Sequence, residues 1–171
     1  LDRSLVLDAP VLSSDGGNAR LAASYLRIGS SRLFNLFPVN ATSGTGTLFL
    51  HGQHVDLVGT LALRGFGSGG AGAAGSAPVR IESQGDVRLI GGDQIQNTAA
   101  AIFAMGRLNS AADIALRANQ VYTATATDYT MSVNRTGPNN QAEGRITIER
   151  GGAGDAPLSA ASKLTLAAVD I

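Results

Sequence analysis

One short pattern recurs along this chain: apolar, any, apolar, any, small or aromatic, any, any, apolar. It can be read at Leu5, Leu7, Ala9 and Leu12; at Leu21, Ala23, Tyr25 and Ile28; and at Leu48, Leu50, Gly52 and Val55. It returns at Ile114, Leu116, Ala118 and Val121, and at Leu164, Leu166, Ala168 and Ile171. Its first half stands alone at Val87 and Leu89 and at Ile146 and Ile148. The period-two alternation places the apolar residues on one face of a strand. The small residue marks a bend, and the last apolar residue opens a second short strand. A unit this small cannot bury its apolar face by itself, but stacked copies bury it against one another. The spacing predicts coils of roughly 20–25 residues, about seven or eight of them at roughly 4.8 Å each. The expected fold is therefore all-β, a parallel β-helix or solenoid. Leu5, Leu21, Leu48, Ile114 and Leu164 should form one interior column, and Leu50, Leu116 and Leu166 should be buried. The alternative is an antiparallel β-sandwich built from the same short strands.

Composition fits thin stacked layers. Hydrophobic residues make up 44% of the 171 residues but aromatics only 5%, with 22 Gly and no Trp, so the apolar content is small and β-branched. The charge balances at 13 basic against 13 acidic residues, without the basic excess a nucleic-acid binder carries. Cysteine is absent, which removes disulfides and Cys-based metal sites and suits export in an unfolded state. No apolar run has the length of a membrane-spanning helix. Both ends fall inside an apolar alternation (LDRSLVLDAP and KLTLAAVDI), so the chain reads as a segment, 1–171, of a larger protein.

Two stretches interrupt the pattern. Residues 65–78 (GFGSGGAGAAGSAP) read as a flexible Gly/Ala-rich loop inserted between stacked strands, and residues 134–144 (NRTGPNNQAEG) as a polar protruding loop. Residues 98–118 are rich in Ala and Leu, yet they contain a full copy of the repeat. They are read as strand and turn, with one helical turn allowed around Ala99 to Met105.

Chemistry-bearing residues are sparse. His51 and His54 are the only histidines. Three positions apart on a strand they face opposite ways, so without a bend at Gly52 they cannot share a metal with each other and Asp56. GFGSGG at 65–70 matches a dinucleotide-binding fingerprint, but it leads to Pro78 and a strand where that motif needs a helix. GGAGDA at 151–156 resembles a single calcium-binding nonapeptide repeat, which binds only in tandem copies. Asn40-Ala41-Thr42 and Asn134-Arg135-Thr136 match a glycosylation sequon and read as turns. Asp8, Asp56, Asp86, Asp113 and Asp170 are dispersed; Asp86 and Asp113 precede strands, where a carboxylate can bind turn amides. Asp56, Glu82 and Asp86 have the spacing from which a β-helical enzyme could gather carboxylates on adjacent coils. No nucleophile–base set is legible. The reading assigns no catalytic, cofactor-binding or metal-binding residue and no cofactor.

The strings GTLFLHGQHVDLVGTLALRGFG, SQGDVRLIGG, NSAADIALRANQVYTATATDYTMSV, GRITIERGG and APLSAASKLTLAAVDI resemble the repeat region of filamentous haemagglutinin-like exoproteins. These are exported by two-partner secretion. The likeness runs from about Leu5 to Ile171. It implies a right-handed β-helix and a secreted or bacterial cell-surface location. It also implies an adhesive or contact-dependent role in virulence. The partners would be a host or bacterial cell-surface receptor and, during export, an outer-membrane transporter. It implies no enzyme. The expected function is a structural shaft and display segment of a large adhesin, and the alternative is a carbohydrate-binding or polysaccharide-cleaving β-helix.

Overall fold

The computed structural model describes residues 3–31, 42–67, 77–92, 95–98, 101–124, 127–136, 140, 142–151, 158–160, 163–168 and 171. These residues form strands and turns, with no helix among them. The chain is all-β. Most strands belong to one 14-stranded, nearly closed sheet in which almost every pairing is parallel.

Three ladders make up this sheet. The first joins the opening of Ala19–Ser30, the opening of Leu48–Arg64, then Val79–Ser83, Ile114–Ala118 and Ile146–Arg150. The second joins Ser4–Asp8, the later half of Ala19–Ser30, the middle of Leu48–Arg64, then Asp86–Ile90, Gln120–Thr123 and Leu158–Ala160. The third joins Val11–Ser13, the end of Leu48–Arg64, Ala101–Ser110, Thr127–Val133 and Leu164–Ala167. Leu48–Arg64 runs 17 residues through all three ladders without a break.

Alternation carries the apolar residues inward, where the parallel register stacks like on like. In the first ladder Leu21, Leu50, Ile81, Leu116 and Ile148 are consecutive partners. In the second, Leu7, Ile28, Leu57 and Leu89 succeed one another. In the third, Leu61, Leu108, Met131 and Leu166 do so. The three inner faces meet in one core that includes Leu26, Leu50, Leu57, Leu63, Ile81 and Leu116.

The repeat is real but its register is not the expected one. Leu48 and Ile114 share a column through Val79, whereas Leu21 pairs with Leu50, two places along. Leu5 pairs with Leu26 in the second ladder, and Leu164 pairs with Tyr129 in the third. An apolar-x-apolar opening is what any inward-facing strand shows, so the motif marks strands without saying which ladder each joins. In the first ladder successive partners lie roughly 30 residues apart rather than 20–25, because the chain passes through the other two ladders and their corners before it returns. The first ladder accordingly has five strands, not seven or eight.

Ala101–Ser110 is strand throughout, so no helical turn forms over 101–105. Its start pairs antiparallel with Ile95–Thr98. Residues 65–67 open the Gly-rich stretch as ordered structure. Phe66 is in the core, and Phe66–Gly67 pairs with Ser43–Gly44; residues 68–76 lie outside the described residues. Within 134–144, Arg135–Thr136 pairs antiparallel with Ala142–Glu143, while 137–139 and 141 lie outside the described residues.

Candidate functional site

The inward positions are taken by the core, so any chemistry resides on the outward positions of the ladders and at their corners. On the second ladder, Arg27, Asp56 and Arg88 are consecutive outward partners, followed by Tyr122. Asp56 is the centre of this row. Its Oδ2 accepts hydrogen bonds from the Tyr25 hydroxyl at 2.6 Å and from Arg88 Nη2 at 2.7 Å, and its Oδ1 accepts one from Arg88 Nε at 3.2 Å. Although it faces outward, the Asp56 side chain is only 4% exposed, because Tyr25 and Arg88 fold over it. The paired carboxylate holds the Arg88 guanidinium above its ordinary pKa. Partial burial, followed by the bond to Asp56, raises the Tyr25 phenol. A neighbouring cavity of about 270 Å³ is lined by Tyr25, Arg27, Gly29, Ser31 and residues 6–8.

On the first ladder, the outward row Arg20, Phe49 and Arg80 forms a cation–π stack, with guanidinium carbons 5.3 and 4.9 Å from the ring centroid. The next outward row is His51, Glu82, Arg117 and Glu149. Phe49 and His51 lie 5.6 Å apart, tilted, and Arg80 pairs with Glu82. Beside this row a cleft of about 390 Å³ is lined by His51, Glu82, Ser83, Gln84, Arg117, Asn119 and Gly151. Its floor is a turn organised by Ser83, whose hydroxyl donates to the Gln53 carbonyl and accepts from the Gly85 amide.

Asp56, Glu82 and Asp86 are not brought together. Asp56 is committed to Arg88 on the second ladder, Glu82 to Arg80 on the first, and Asp86 begins a strand opposite Gln120. The chain turns at the buried Gly52, so His51 belongs to the first ladder and His54 to the second, as the partner of Tyr25. His51 and His54 therefore both lie toward the outside, and not on opposite faces of one flat strand. Among the described residues no three His, Asp or Glu side chains gather as metal ligands. Asp8 ends the exposed strand Ser4–Asp8. Asp170, Asn40 and residues 152–156 lie outside the described residues.

Asp113 binds an amide, though not one in its own turn. Its Oδ1 accepts from the Arg145 N–H at 3.0 Å and from Arg135 Nη1 at 3.1 Å. Both the Asp113 and the Arg135 side chains are about nine-tenths buried, so Arg135 ties its short strand to the edge of the core. The arginine network on the outside of the ladders was not legible in the sequence. Arg27, Asp56 and Arg88 become neighbours only once the roughly 30-residue register is known. No family model, curated protein or solved structure matches this chain.

Proposed function

We propose that this chain is a segment of a right-handed parallel β-helix serving as a non-enzymatic shaft and display surface in a secreted bacterial surface protein of the filamentous haemagglutinin type. The observation that supports this best is the unbroken stacking of three parallel ladders over one continuous apolar interior. Each layer rests only on its neighbours, so such a structure lengthens by adding layers without redesigning the core. Meanwhile the outward positions stay free to vary and to display contacts. Receptor binding and passage through an outer-membrane transporter are, in this reading, properties of the full-length protein.

Electron microscopy of a longer segment containing these residues tests the reading. The expected particle is a thin rod that grows by roughly 4.8 Å for every added layer. A compact globule, or a rod whose length does not follow chain length, overturns it. Antibody labelling of producing cells tests the location: signal on intact cells is expected, and signal only after lysis counts against a surface role.

A further inference from the structure

Glu82, Arg117 and Glu149 are consecutive outward partners on three adjacent parallel strands, with Ile81, Leu116 and Ile148 facing the opposite way beside them. Opposite charges at paired positions ordinarily bridge across the strands. Here Arg117 bridges neither glutamate. Its Nη2 donates to the Gly151 carbonyl at 2.8 Å, while Glu82 Oε1 is taken by Arg80. Arg117 therefore keeps N–H donors, and Glu82 keeps its second carboxylate oxygen, without a partner among the described residues. Both line the cleft of about 390 Å³ that they share with His51, Gln84 and Asn119.

We infer that this cleft binds a small zwitterion, a free α-amino acid, with its carboxylate on Arg117 and its ammonium group on Glu82. The order of charges along the row selects this chemistry. A polyanion lying along the ladder meets Glu82 and Glu149 within one strand spacing of Arg117, roughly 4.8 Å on either side. A simple cation meets the Arg117 guanidinium. A ligand that carries both charged groups on one carbon completes the unused donors of Arg117 and the unused acceptor of Glu82 together, and guanidinium–carboxylate pairing favours two parallel hydrogen bonds. The volume also lies in the range of small-molecule sites. This inference is independent of the shaft reading and fails or holds separately from it.

The experiment is a titration of the full 171-residue chain with glycine, L-alanine, acetate and methylammonium, followed by backbone amide NMR and thermal midpoint. Glycine or L-alanine is expected to shift the amides of Glu82, Arg117 and Asn119 saturably and to raise the midpoint. Acetate and methylammonium should bind about tenfold more weakly or worse, since each forfeits a charge-assisted contact. Arg117→Gln and Glu82→Gln should each cost the amino acids about tenfold in affinity or more. The spectra of both variants without ligand should stay those of the parent fold. Acetate binding as tightly as glycine, an unchanged affinity in Glu82→Gln, or no saturable shift with either amino acid overturns the inference.

Discussion

A phenol with no hydrogen-bond partner among the described residues lies inside the third ladder. Tyr129 is 1% exposed, and its hydroxyl finds no donor or acceptor among the described residues. Its ring lies over Gly106, where an added Cβ would come 2.3 Å from the ring. The inner column makes room for the large side chain by placing a glycine on one side of it, with Leu164 on the other. A buried, unsatisfied hydroxyl costs about 1–3 kcal/mol, so Tyr129→Phe should stabilise the protein by up to that amount in urea denaturation. Burial also raises the Tyr129 pKa far above that of a free phenol. The unfolded chain then gives up this proton at lower pH than the folded one. The stability this residue supports is full below about pH 10, the ordinary phenol value, and falls as pH climbs above it. Stability measured across that range should decline less in Tyr129→Phe than in the parent. An unchanged decline would mean that Tyr129 ionises without unfolding the chain.

At the scale of the strand, the alternation of Leu, Ile and Val foretold inward-facing strands, and the recurrence of the motif foretold their parallel stacking. What it left open was register, because Leu5, Leu21 and Leu164 look alike in sequence and belong to three ladders. Leu116 lies between Ile81 and Ile148 and is 1% exposed, whereas Leu166, equally prominent in the repeat, is only partly buried. Leu116→Ala should therefore cost about 2–5 kcal/mol, and Leu166→Ala distinctly less. Equal losses would show the interior to be as closely packed at Leu166 as at its middle. The small residue of the repeat marked the corner at Gly52, but the sequence did not disclose the corner that leaves the second ladder. Gly29 and Gly59 turn the chain out of the second ladder with φ of 115° and 56°. A Cβ on Gly59 would sit 1.9 Å from the Ser30 carbonyl oxygen, at a register shift in the pairing of the two strands. No repeat pattern singles these two out among 22 glycines. Gly59→Ala should destabilise by about 1–3 kcal/mol, visible as a lowered denaturation midpoint.

For the molecule as a whole, the outward polar groups largely satisfy one another: Asp56 holds Tyr25 and Arg88, Asp113 holds Arg135, and Glu82 holds Arg80. Purified protein is thus expected to contain no stoichiometric transition metal, to leave acidic polysaccharides uncleaved, and to show the same thermal midpoint with and without Zn²⁺ or Ca²⁺. A ligand that binds only the folded state must raise the midpoint, so a rise of several degrees with Ca²⁺ would favour the carbohydrate-directed alternative. The stack also has a built-in asymmetry. Ser4–Asp8 reaches the middle of Leu48–Arg64 through an intervening strand, but Val11–Ser13 lies directly against the end of it. Among the described residues, one side of the first layers is therefore a strand shorter than the other, a difference of roughly 4.8 Å in rise. Layers that differ in thickness from side to side are wedges, and a column of bricks laid on a wedge leans. An omitted strand is in this sense a steering element: repeated at intervals in a longer stack of such layers, omissions of this kind would set the direction in which the stack curves.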